Sequence, residues 1–181
     1  MDIVEHPQAG TSRSPDAYDL KAAFRRWPTG VGVVTAVDAD GPFGMTVSSL
    51  ASVSAEPPVV SLSVSGGSAT AARLLASERF SVHVLPASRA DVAIAFAAAG
   101  GHRFAAEHGW SLDEAGAPVL AGALADLRCV LRTVVPVGES RLIVADVERI
   151  ALGPDAEPLV HVDRTYRRPG AAVPTGLPRA V

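Results

Sequence analysis

The sequence predicts a mainly β fold, an antiparallel barrel with peripheral helices, and three observations predict it. Short alternating or β-branched runs follow one another, separated by Gly, Pro and Asp turns. Only three segments carry helical spacing. Those helices do not alternate with the strands, as a doubly wound parallel sheet would require. About seven strands and three helices are expected.

The elements follow in order. Residues 1–13 are polar and unpatterned and read as a flexible tail. Ser14-Pro15-Asp16 starts a helix, because serine caps free N–H groups, proline suits the first helical position and an acid favours the positive dipole end. Leu20, Ala23, Phe24 and Trp27 give that helix one apolar face, and Pro28 and Gly30 end it. Val31 to Val37 and Phe43 to Leu50 form a hairpin about the Asp38-Ala39-Asp40-Gly41-Pro42 turn. Pro57-Pro58 breaks the chain before Val59 to Val64, where Val60, Leu62 and Val64 alternate with serines. Gly66-Gly67-Ser68 opens a helix with Ala71, Leu74 and Leu75 on one side. Phe80 to Leu85 is a strand, and Ser88-Arg89-Ala90-Asp91 resembles a capping box before Val92, Ile94, Ala95 and Phe96. A Gly- and Ala-rich loop with one short element spans 97–118. Long strands at 124–136 and 140–151 join near Gly138, and Pro158 to Val162 is the last strand. One domain, 14–168, thus lies between the first tail and a second at 169–181.

Composition narrows the function. At 48% hydrophobic and 19% charged the chain is globular, and 181 residues suffice for one core. The formal net charge of −3 leaves no basic excess for nucleic acid. No apolar run approaches the roughly 20 residues of a membrane helix, and the first ten residues are not a secretory signal. Cys129 is the only cysteine, which suits a reducing cytoplasm.

Several chemistries fail on spacing. His6, His83, His102, His108 and His161 form no zinc pair, so no metal is expected. Gly-x-Ser-x-Gly is absent, which removes the usual hydrolase elbow. Gly30-Val31-Gly32 begins a dinucleotide fingerprint, but Thr35 stands where its last glycine would be. Two segments are positive signals. Ser65-Gly66-Gly67-Ser68-Ala69-Thr70 leads converging N–H groups into a helix N-terminus, the form of a phosphate turn, with Arg73 one turn on. An ordinary capped turn has the same pattern. Thr46-Val47-Ser48-Ser49 fills a strand pattern with small hydroxyl residues, leaving room for a flat polar heterocycle beside the backbone. A strand with one solvated face would read the same way.

Together these segments resemble the flavin reductase family, whose members often serve as reductase components of two-component flavin-dependent monooxygenases. The resemblance runs from about Phe24 to Arg167. It is carried by Phe24-Arg25-Arg26-Trp27-Pro28-Thr29-Gly30-Val31 and by Gly44-Met45-Thr46-Val47-Ser48-Ser49-Leu50 with Ser52-Val53-Ser54 and Pro57-Pro58. Ser68-Ala69-Thr70, Phe80 to Leu85, Arg103-Phe104 and Arg164-Thr165-Tyr166-Arg167 extend it. His83 stands where the family usually has asparagine.

The resemblance implies a split β-barrel, a homodimer, bound FMN or FAD, and NADH or NADPH as electron donor. It places Thr46, Val47, Ser48 and Ser49 at the polar edge of the flavin ring, with Thr29 counted among the cofactor residues. Ser63, Val64 and Ser65 follow the ribityl chain, Ser68 and Thr70 meet the phosphate, and Phe96, Arg103 and Phe104 close over the cofactor. Ser140 and Tyr166 fall on the nicotinamide side. No side chain is implied as a catalytic nucleophile, since hydride passes from nicotinamide to flavin. The implied activity is an NAD(P)H-dependent flavin reductase supplying a partner monooxygenase. One departure favours an alternative. Many members carry Gly-Asp-His where this chain has Gly138-Glu139-Ser140, and serine can neither stack on a nicotinamide nor carry positive charge. A flavin-binding protein of the same fold without reductase activity, or one recruited to other redox chemistry, remains the second reading.

Overall fold

The computed structural model of the chain describes residues 17–171. The helix start expected at Ser14-Pro15-Asp16, the first tail and residues 172–181 of the second lie outside the described residues. In order the elements are α1 (Ala17–Arg25), β1 (Thr29–Gly30), β2 (Gly32–Asp38), β3 (Gly41–Val47), β4 (Ala51–Ser54), β5 (Val59–Ser65), α2 (Ala69–Ala76), β6 (Arg79–Val84), α3 (Ala90–Ala97), β7 (Trp110–Leu112), β8 (Pro118–Leu120), β9 (Ala125–Val137), β10 (Ser140–Leu152), β11 (Val160–Val162) and β12 (Thr165–Arg167).

The main sheet runs β3-β2-β6-β9-β10-β5-β4, every pair antiparallel. It curls without closing, the mainly β split-barrel form. Phe43 and Val47 of β3 and Leu62 and Val64 of β5, from strands far apart in that order, share one core with Val34, Leu74, Phe80, Val82, Cys129 and Ile143. Period-two alternation makes this possible, since each strand sends every second side chain inward. The thiol of Cys129 is sealed there, and burial pushes it up to about 12. Val31, between β1 and β2, and Val33 of β2 enter a second core with Leu85, Val92, Phe96, Leu120 and Leu159, against which Phe104, Trp110 and Tyr166 pack. Small sheets β1-β11-β12 and β7-β8 complete the fold.

Several expectations need correction. The strand expected over Phe43 to Leu50 ends at Val47, and Ser48 begins a bend. Beyond it lies β4, a short, mostly exposed edge strand without the alternation that reveals a half-buried one. The 97–118 region holds a hairpin, β7 and β8, rather than one short element. No side chain caps α3, whose N-cap is Arg89, so the capping box at Ser88 does not form. A further strand, β12, follows the last one expected. It was not anticipated because its turn, Asp163-Arg164, holds two non-glycine residues at φ +47° and +60°, positions normally given to Gly or Asn. Finally, among the described residues nothing covers the apolar face of α1: Leu20, Phe24 and Trp27 are each about 60% or more exposed.

Candidate functional site

The site grows from the end of β3. Gly44 lets the strand lie against its neighbours, because a Cβ there would stand 2.4 Å from the Val34 carbonyl oxygen and 2.9 Å from the Phe96 ring. Two residues on, the half-buried Thr46 donates its hydroxyl to the Ala93 carbonyl at 2.6 Å, tying β3 to α3. Val47 points into the core, so only its backbone is available outside. Ser48 and Ser49 are exposed. Ser49 Oγ accepts from Ser63 N–H and donates to Ser63 C=O, both at 2.9 Å. This side chain replaces a ladder rung on β5, which holds the bend and leaves the amide N–H groups of Ser48 and Ser49 without a backbone acceptor among the described residues.

β5 continues the line. Ser63 and Ser65 are exposed while Val64 is buried, as alternation requires. Ser65 lies directly across from Ser140 of β10. Gly66 then donates to Glu139 C=O at 2.8 Å, and a Cβ on Gly66 would sit at that same 2.8 Å from the oxygen. Only glycine therefore lets the turn pass so close to the β9–β10 corner. Ser68 caps α2, its hydroxyl oxygen accepting from Ala71 N–H at 3.3 Å. Thr70, in the first turn, accepts from Arg103 Nη1 at 3.4 Å, and Arg103 Nη2 donates to Ala98 C=O at 3.2 Å. Arg103 Nε is buried with no partner.

The structure thus joins Thr46 to Ser49, Ser63 to Ser65, Ser68, Thr70, Arg103 and Ser140 into one continuous line. It changes the role of others. Phe96, expected to close over a cofactor, is 1% exposed, wedged edge-on to Phe104 with the rings 5.1 Å apart and beside Trp110 at 5.2 Å. It is core, and the half-buried Phe104 is the aromatic nearer the surface. Arg73 is not at the helix N-terminus at all. It makes a bidentate pair with Asp38, 2.6 Å to each oxygen, and its guanidinium lies 4.0 Å over the Phe43 ring. The pair holds the Asp38 carboxyl below its usual range and the Arg73 guanidinium above its own. Arg103 supplies the cation at the turn instead.

Thr29 and Tyr166 lie on the small β1-β11-β12 sheet. Thr29 pairs with His161, and His161 with Tyr166, across the small sheet, the two rings 5.6 Å apart. Burial pushes the Tyr166 phenol up. Within one chain Tyr166 and Ser140 lie on separate sheets. His161 had no local signal, since a lone histidine on a short strand matches no motif. His83 is likewise new as a contact: fully buried, it bridges Thr35 Oγ1 (2.9 Å from Nε2) and the Asp126 carboxylate, edge-on to Trp110.

The model of the flavin reductase like domain matches residues 24–170. The chain belongs to that family. This flavin reductase-like chain is 37% identical over 157 residues to an NADH:FMN oxidoreductase of Rhodococcus qingshengii, covering 84% of this chain and 82% of that one. It is 36% identical over 149 residues to the reductase component of 4-hydroxyphenylacetate 3-monooxygenase of Thermus thermophilus, covering 82% and 94% of the two. Among solved structures, the NADH:FAD oxidoreductase of Streptomyces globisporus in complex with NAD and FAD fragments is similar at a TM-score of 0.78 and 32% identity, covering 88% of this flavin reductase-like chain and 94% of that one.

Proposed function

We propose that this chain is an NAD(P)H-dependent flavin reductase that reduces FMN or FAD and supplies the reduced flavin to a separate monooxygenase, working as a cytoplasmic homodimer. The carrying observation is the line from the Ser48 bend along β5 to the N-terminus of α2, ending at a buried guanidinium N–H with no partner. An orphaned donor of this kind carries a desolvation cost of about 1–3 kcal/mol until an acceptor reaches it. A phosphate oxygen at the helix N-terminus, beside Ser68 and Thr70, is such an acceptor. The residues therefore fit a flavin phosphate. The relatives named above are oxidoreductases of the same reaction class.

Bound flavin supplies the hydride acceptor, and reduced nicotinamide the donor. The chain's own residues position and polarise. Ser49 is spent on Ser63 and shapes the bend, so the Ser48 hydroxyl and the free amides beside it are the donors for the ring's polar edge. Thr46 spends its proton on Ala93 and offers only an acceptor. Ser63 and Ser65 line the groove between ring and phosphate.

The second reading, flavin binding without reductase activity, is favoured by Ser140. Anaerobic mixing of the chain with FMN or FAD and NADH or NADPH separates the two. Bleaching of the flavin band near ~450 nm with at least one nucleotide is expected. Flavin that binds but stays oxidised with both would establish the carrier reading instead.

A further inference from the structure

Outside the flavin groove lies a cleft of about 480 Å³ against β2, β6, β9 and β10, bounded by the turn between β7 and β8. Its volume falls in the range of roughly 300–1,000 Å³ typical of small-molecule sites. None of the flavin-groove residues lines it.

The turn is held over the sheet by one carboxylate. Asp113 Oδ1 accepts from Ala115 and Ala117 N–H at 3.0 and 2.9 Å, and Oδ2 accepts from Arg128 Nη2 at 2.7 Å. Arg128 also donates to Ser81 Oγ and, at 3.3 Å, to Pro118 C=O. Its side chain is 19% exposed, and Ser81 and Thr35 beside it are buried. The polar floor is thus rigid and already satisfied, with Thr35 bonded to His83 and His83 to Asp126. Exposed Val37 and Ala115 and half-buried Ala117 give the cleft apolar walls, with buried Phe80 and Pro118 behind them.

The charges do not balance. Three guanidiniums line the cleft, Arg79, Arg128 and Arg149. Glu148 pairs with Arg79, and Asp113 with Arg128. Arg149 has no hydrogen-bonding or ionic partner among the described residues, and it sits directly across from Arg128 in the β9–β10 ladder, beside a register shift. Like charges in direct cross-strand register repel. A rigid cleft with apolar walls and one unmatched cation is complementary to an apolar molecule with one negative charge. A phosphate dianion would exceed the single unmatched charge, and a flat protein surface would not enter the cleft.

We propose that this cleft binds a small monocarboxylate with an apolar body, its carboxylate on Arg149 and its body against Val37, Ala115 and Ala117. Arg149 is exposed, so Arg149→Ala removes the charge without disturbing a core. The test is calorimetric titration of the full chain with 2-naphthoate and with its neutral match 2-naphthamide, the same titration of Arg149→Ala, and an FMN titration of both proteins with and without naphthoate. Saturable naphthoate binding is expected, weakened about tenfold or more by the amide and by Arg149→Ala, as the loss of one charge-assisted contact implies. FMN affinity is expected to be the same in all four conditions. Absence of saturable naphthoate binding overturns the proposal. So does equal binding of acid and amide, equal binding by the variant, or competition with FMN, which would place the probe in the flavin groove.

Discussion

At the scale of single residues, the site depends on positions where one atom decides the outcome. A methyl on Gly44 would meet a backbone oxygen, which cannot rotate away as a side chain could. Gly44→Ala is therefore expected to destabilise the chain by about 1–3 kcal/mol, the usual cost of overpacking, seen as a lower denaturant midpoint at unchanged slope. An unchanged midpoint would mean that β2 and β3 separate more easily than their register suggests. Ser48 is the opposite case, exposed beside amides with no backbone acceptor. Ser48→Tyr should fold normally and lose FMN affinity by about tenfold or more, because the added ring occupies the proposed groove. Fluorescence titration with FMN checks this, and unchanged affinity would put the flavin ring elsewhere. Ser48 and Ser49 were legible in the sequence as small hydroxyl residues in an unusual place. Their geometry was not, because Ser49 bonds a residue fourteen positions away and so ends a strand that its own neighbours would continue.

At the scale of elements, the turn between β5 and α2 meets the β9–β10 corner through Gly66 and Glu139, and Ser140 pairs with Ser65 at the end of the proposed groove. Ser140→His should raise turnover with NADH or NADPH while leaving FMN affinity unchanged, since imidazole offers a ring to stack and a proton to carry where serine offers neither. Steady-state kinetics alongside an FMN titration separates the two quantities. Unchanged turnover would mean that the nicotinamide does not approach this end of β10. The long strands, the first hairpin and α2 could be read from the sequence because alternation and helical spacing are local signals. β4, β7, β8 and β12 are short or exposed and hold their places through partners distant in sequence, as Trp110 does through His83, Phe96 and Phe104.

At the scale of the whole molecule, the stripe of Leu20, Phe24 and Trp27 on and just after α1 is exposed among the described residues. Contiguous exposed apolar side chains of this size mark an interaction surface. The proposed homodimer gives them a partner, a second copy of the same helix face or a surface near it. Phe24→Asp with Trp27→Asp should convert a species with the mass of two chains into one with the mass of one, read by sedimentation. A wild-type chain that sediments as a monomer would remove the dimer from the proposal. The outer cleft and the flavin groove use different residues of the same curled sheet, so variants at one should leave binding at the other intact.

From the sequence by itself came the mainly β class, the two hydroxyl-rich segments, the glycine turn into α2 and the family, because these rest on local periodicity and on the order of short motifs. Only the tertiary structure decided which arginine serves the helix N-terminus. Arg73 is closer in sequence, but Asp38 and Phe43 capture it, and Arg103 reaches Thr70 from a loop more than thirty residues away. Phe96 is core rather than lid for the same kind of reason, and Thr29 and Tyr166 lie on a sheet of their own. A guanidinium or an aromatic ring goes to whichever partner the folded chain places within reach. That depends on distances between segments, which no local pattern encodes.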